Sequence, residues 1–202
     1  MLDRYRTISS LSEGLYKEKG SRFIAFACPV CSENEVKLHL LELKKKYYDA
    51  KHHCYAYRLG LTGELWRAVD DGEPSGSAGK PILGQLLSNN LTNIVVFVVR
   101  YFGGVKLGVP GLINAYRSAT ADSIQNAEII EKEDKVGFFV EFNYLAMNEV
   151  MKIIKDEHLE TVKQEFEMIC RIELQVRRSL FEMIKDKFSK TGASVILNLP
   201  GR

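Results

Sequence analysis

Nine residues, Asn93–Tyr101 (NIVVFVVRY), constrain the fold of this chain more than any other segment. They are almost wholly apolar and β-branched, with a single charge, Arg100, near the end. Such a run reads as a strand covered on both faces, because a strand with one wet face would alternate with polar residues. The chain must therefore supply packing layers to a sheet. The apolar core of the run, Ile94–Val99, is far too short for the roughly 20 residues of a membrane span, so no membrane association is expected.

The segments around it read as a sheet with helices. Residues 16–28 begin polar and turn apolar at Phe23–Ala27, a strand with a turn or bulge at Gly20-Ser21. Ser32 ahead of Glu33 and Glu35 is a capping pattern. The helix it opens runs to about Tyr48, with Val36, Leu40, Leu43 and Tyr47 on one face and Lys44–Lys46 at the negative dipole end. Strands follow at 53–59 and 65–69. Two glycine-rich loops come next, DDGEPSGSAGK at 70–80 and a second punctuated by Gly103, Gly104, Gly108 and Gly111. Each leads into a helix opened by proline, Pro81 and Pro110, a residue that needs no amide partner in a first helical turn.

After Asn126 the charged stretch Glu131–Lys135 predicts a linker. Beyond it the pattern is strand 136–142, helix 145–156, strands 161–168 and 170–177, helix 180–191 and strand 193–199. That βαββαβ order is the ferredoxin-like, split βαβ arrangement. Alternation of Ile172, Leu174 and Val176 with the polar Arg171, Glu173, Gln175 and Arg177 predicts one wet sheet face. The expected architecture is α+β, with domains at 1–130 and 135–202.

Composition narrows the function classes. With 202 residues, 46% hydrophobic and 27% charged, the chain is an ordinary globular one. Net charge is +2, and residues 1–130 carry 16 Lys+Arg against 13 Asp+Glu, too slight an excess for a polyanion footprint without local clustering. Four cysteines do not make a disulfide scaffold, and MLDRYR carries no secretory pattern, so a cytoplasmic location is expected.

Helix starts that follow glycine-rich loops present unpaired amides to an anion. Lys80, Arg100, Gly103, Gly104, Lys106, Gly108 and Arg117 are the candidates for binding a phosphate or nucleic acid, with Arg22 and Arg58 as further cations. The same glycines can instead serve only to close tight turns. No nucleotide fingerprint is met: a Walker loop needs Gly where Pro74 stands, and Ser or Thr where Pro81 stands. Asp70, Asp71, Glu73 and His53 are the candidates for acid–base work or for a cation, the competing reading being a solvated loop. The pair Cys28 and Cys31 falls short of a four-ligand zinc site, and no cofactor or metal is expected.

Five motifs carry a family resemblance: KGSRFI at 19–24, HHCYA at 52–56, DDGEPSGSAGKP at 70–81, VVRYFGGVKLG at 98–108 and GLINAY at 111–116. Together they resemble the signature of the IMPACT/YigZ family over residues 1–127, and the rest resembles the C-terminal domain of bacterial members. The resemblance implies a first domain similar to the second domain of ribosomal protein S-five. It implies a second domain like the ferredoxin-like end of elongation factor G. It further implies regulation of translation or stress response by binding RNA, the ribosome or a translation factor. The alternative is an enzyme acting on a phosphorylated small molecule. Cys28 and Cys31 lie outside the family pattern.

Overall fold

The structure, a computed structural model, describes residues 3–197, which divide into two compact units, 4–132 and 133–197 with Asp3. The first unit is built on an antiparallel five-stranded sheet. Its strands are β2 (Ser12–Glu18), β3 (Ser21–Pro29), β4 (His52–Leu59), β5 (Leu65–Val69) and β6 (Ile94–Tyr101), in the order β2-β3-β6-β4-β5. The apolar run becomes the central strand β6, fully buried from Ile94 to Val99.

Helices cover both faces. Helix α1 (Glu33–Lys46) starts at Ser32, whose side chain accepts the Glu35 amide. Its Val36, Leu40, Leu43 and Tyr47 pack with Phe26, Tyr57, Phe97 and Val99. On the other face lie α2 (Gly79–Ser88) and α3 (Gly108–Gln125), whose Ile82, Leu86, Leu112, Tyr116 and Ala119 pack with Phe23, Ala25, Cys54, Ala56, Val96 and Val98. Odd and even positions of each central strand thus belong to different cores, the physical meaning of a strand without polar alternation.

Three local expectations are corrected. The segment before Phe23 is a strand of its own, β2, paired with β3 through a turn at Lys19-Gly20, where both residues have positive φ. The expected linker Glu131–Lys135 does contain the division between the units, but it is not irregular: its first three residues end strand β7 (Ile129–Glu133), which pairs with β1 (Arg4–Ile8) in a separate two-stranded sheet, and Lys135 begins the next strand. Charge alone suggested a linker there; edge pairing of a half-exposed segment overrode it. Helices α2 and α3 begin two residues ahead of Pro81 and Pro110, so each proline is the third helical residue, where its missing N–H still costs nothing.

The second unit holds β8 (Lys135–Phe142), α4 (Met147–Asp156), β9 (Glu160–Phe166), β10 (Cys170–Arg177), α5 (Phe181–Ser189) and β11 (Ser194–Leu197). Its antiparallel sheet runs β11-β8-β10-β9. Ile172, Leu174 and Val176 are buried with Phe138, Val140, Ile154 and Phe188, while their odd-numbered neighbours stay accessible. The end of the strand expected over 193–199 lies outside the described residues.

Candidate functional site

The loop between β5 and α2 folds back onto its own helix. The Asp70 carboxylate accepts N–H bonds from Gly76 (2.8 Å), Ala78 (3.0 Å) and Gly79 (2.8 Å). Burial would raise its pKa, but those three donors, with Lys80 nearby, outweigh burial and hold it below the ordinary aspartate range. The expectation that the α2 start receives an external anion is therefore corrected: the protein's own carboxylate occupies those amides.

Glu73, three residues on, enters a buried polar cluster. Its Oε1 accepts from Arg100 Nη1 at 2.5 Å and from the Tyr116 hydroxyl at 2.8 Å. His52 Nε2 lies 4.0 Å from the same oxygen, and His52 Nδ1 is 2.8 Å from the Asp71 carbonyl, which must accept a proton carried on that nitrogen. The Cys54 thiol donates toward the Asp70 carbonyl at 3.0 Å and lies 3.3 Å from Tyr116 Oη. Burial drives both the Cys54 thiol and the Tyr116 hydroxyl far up in pKa, so both stay protonated as donors. The Arg100 guanidinium lies 5.4 Å from the centre of the Phe23 ring and 5.7 Å from that of Phe102.

Strand parity decides which histidine joins. His52 pairs with Arg100 across β4 and β6 and shares the face of α2 and α3. His53 is buried on the α1 face, its ring pushed down in pKa first by burial and so kept neutral. Asp71 hydrogen-bonds it through the backbone, accepting the His53 N–H at 2.7 Å, while its charge partly offsets the effect of burial on the ring, and its carboxylate also meets Lys44 at 3.9 Å. Asp71, His53, Lys80 and Arg100 thus do not surround one pocket. His52, Cys54 and Tyr116 were not among the acid–base candidates, although His52 had a usable signal in its even register with Cys54 and Ala56.

The cations divide in the same way. Arg100 is consumed by Glu73, and Arg58 is buried with Nη1 donating to the Leu91 carbonyl and Nη2 to the Thr62 carbonyl. Arg22 lies over the Tyr101 ring, on the α1 face. Lys80, Lys106 and Arg117 remain exposed. Lys80 and Arg117 line one groove of about 420 Å³ between α2 and α3, with Pro81, Gln85, Ser88 and Ile113 but no carboxylate on its walls. Lys106 sits on the second loop, outside that groove.

In that second loop, Gly103 is a packing residue: a Cβ there would fall 1.9 Å from the Gly20 carbonyl carbon and 2.1 Å from the Ser21 nitrogen. Its N–H donates to Ser21 Oγ at 3.1 Å, which pins the loop to the β2–β3 turn. Gly104 and Gly108 have positive φ, and the α3 start lacks a side-chain cap.

Cys28 is buried on β3, its thiol pushed up to about 11 chiefly by burial, whereas Cys31 is exposed. A reactive pair needs a depressed thiol pKa, and burial here does the opposite. In a thiol titration of the native protein, Cys31 is expected to react at once, and Cys28, Cys54 and Cys170 only on unfolding. Two fast thiols would overturn this. Among the described residues no group of three or more His, Cys, Asp or Glu is arranged to hold a metal ion, and no helix is long and apolar enough to cross a membrane.

Comparison with known proteins adds the ancestry. The Impact N-terminal domain model matches residues 19–124. IMPACT family member YvyE of Bacillus subtilis is 37% identical over 133 residues, 66% of this chain and 61% of that protein. An IMPACT family member encoded in the pol 5′ region of Thermus thermophilus is 39% identical over 140 residues, 69% of this chain and 75% of that protein. The match thus spans about three fifths of the Bacillus relative's length. A crystal structure of a hypothetical protein superposes over the whole of both chains with a TM-score of 0.72 at 21% identity, a likeness of fold. With the matched segment containing both glycine-rich loops, the buried Glu73–Arg100 pair and the Lys80–Arg117 groove, the chain belongs to the IMPACT family.

Proposed function

We propose that the first unit is a docking module in translation or the stress response, and that it binds an anionic partner: RNA, the ribosome or a translation factor. The observation that carries this reading is the groove between α2 and α3, lined by Lys80 from one helix and Arg117 from the other and bearing no carboxylate. Neither side chain makes an ion pair among the described residues, and Lys80 acts on Asp70 only at longer range. Lys106 and the uncapped start of α3, with Gly103, Gly104 and Gly108 leading to it, would extend the contact along the same side of the sheet.

The fold assignment belongs to the same reading. The first unit is taken as similar to the second domain of ribosomal protein S-five. The second, with βαββαβ order and strand order β11-β8-β10-β9, is taken as ferredoxin-like. The enzyme alternative has less support, because the carboxylates it needs are committed: Asp70 to three amides and Glu73 to Arg100 and Tyr116.

Co-sedimentation with ribosomes and with total RNA tests the reading. Binding is expected to fall steeply between about 50 and about 200 mM salt, and the Lys80→Glu/Arg117→Glu variant to bind at least about tenfold more weakly with a shallower salt slope. Binding that is absent at low salt, or that the double variant leaves unchanged, sinks it.

A further inference from the structure

Helix α2 contains a residue that the fold does not explain. Gly84 lies in the middle of the helix, is exposed, and a Cβ placed there would have nothing within 4 Å. Glycine in a helix interior gives up more conformational entropy than alanine, and this chain places nothing against Gly84 to require it. The missing side chain opens the wall of a groove of about 650 Å³ between α2 and β5, and Gly84 also borders the smaller groove that Arg117 lines.

That groove has the build of a strand-addition site. Its floor and walls are Trp66 and Ala68, alternate residues of β5, and Lys80, Leu83, Gly84 and Leu87, one face of α2 at i, i+3, i+4 and i+7. Trp66 and Leu87 are more than half exposed. β5 is the outermost strand of its sheet and, among the described residues, pairs only with β4, so its other edge offers unpaired backbone groups. Helix and strand nearly touch at one end, where a Cβ on Gly79 would lie 2.5 Å from the Val69 nitrogen. An occupant therefore lies along β5, over a length of about 17 Å for five extended residues.

Charge sets its polarity. At the Val69 end Lys80 faces the groove without an ion pair, acting on the Asp70 carboxylate only at longer range, and Asp70 is itself held by three amides. At the far end Glu64 is engaged by Thr62 (2.7 Å to its hydroxyl), beside the buried Arg58. One cationic end, an apolar middle and a free strand edge match a single kind of ligand. We infer that the β5–α2 groove binds an extended peptide of a protein partner, which pairs with the edge of β5, buries alternate apolar side chains against Trp66, Leu83 and Leu87 across Gly84, and sets a carboxylate at Lys80. The two grooves share Gly76, Lys80 and Gly84, which form the ridge between them; Trp66, Ala68, Leu83 and Leu87 belong to this one alone, and Pro81, Gln85, Ser88, Ile113 and Arg117 to the other.

The probe is a random peptide library displayed on phage and panned on the full chain, followed by synthetic copies of the enriched peptides. Enriched sequences are expected to alternate apolar residues and to carry one carboxylate, and binding is expected to slow amide exchange at 65–69. Gly84→Leu fills the groove and is expected to weaken binding at least about tenfold, as is Trp66→Ala, while Gly84→Ala keeps most of it. The fold survives these changes: Gly84→Leu has open space for its Cβ and a better helix former, so its melting midpoint is expected to be equal or higher. An internal acidic residue and a free C-terminus are compared by substitution and by amidation; loss with either identifies the carboxylate that Lys80 takes. Indifference to removal of both overturns that pairing. The proposal falls if no consensus emerges or if enriched peptides bind Gly84→Leu undiminished. It falls equally if Trp66→Ala instead abolishes self-association of the chain, or binding of a single-stranded oligonucleotide, without any peptide binding. Arg117→Glu is expected to leave peptide binding intact, which separates this outcome from the fate of the anionic groove.

Discussion

Arg100→Met is expected to destabilise the first unit by about 3–5 kcal/mol, the usual cost of stripping one partner from a buried ion pair. Arg100 is 7% exposed and the Glu73 side chain 3%, so water cannot take over the vacated contact. Glu73 would keep the Tyr116 hydroxyl and lose its only close cation, His52 Nε2 being 4.0 Å away. For a unit of this size the loss corresponds to a fall in melting midpoint of about 10–20 °C. The double variant Arg100→Met/Glu73→Leu is expected to recover most of the loss, since removing both charges also removes their desolvation. Trp66 is the chain's single tryptophan and sits in the first unit, so its fluorescence during urea unfolding isolates that unit from the second. A cost below about 1 kcal/mol for Arg100→Met would show that the cluster is wet and the pair a surface one.

Asp70→Ala is the second large effect, expected at about 2–4 kcal/mol because it orphans three backbone N–H groups at the start of α2 and in the loop before it. Asp70→Asn keeps an acceptor oxygen without the charge and is expected to lose about half as much. The pH dependence follows from the direction of the shift. The folded-state pKa is depressed, so the stabilisation is fully present above the unfolded value of about 3.9 and is lost as pH falls through the folded pKa. Unfolding free energies measured from about pH 7 down to about pH 3 should therefore decline in the native protein and decline less in Asp70→Ala. Equal slopes would mean that the carboxylate is not what holds the helix start.

The partners of Asp70 and Arg100 are not written in the residues around them. Ser32, Glu33 and Glu35 announced α1, and Val36, Leu40, Leu43 and Tyr47 gave its buried face, because capping and helical spacing are recorded within a few residues. Ile172, Leu174 and Val176 declared their face for the same reason. The carboxylates at 70–73 were visible as a cluster, but not that Asp70 would close the very helix start offered to an anion, nor that Glu73 would neutralise Arg100.

What the linear order determined was therefore the succession of the remaining elements, β1, β2 and β7 excepted, with the doubly covered central strand and the family, all of which rest on local periodicity or on contiguous motifs. What only the tertiary structure decided was the partnership of charges and the identity of the open surfaces. His52 rather than His53 faces Arg100 because β4 and β6 pair in one register, and a shift of one residue would exchange them. Gly84 and Trp66 face one groove because α2 crosses beside the edge strand β5. Register and crossing are fixed by contacts between distant segments, and a local pattern specifies which face of an element is buried without specifying what lies against it.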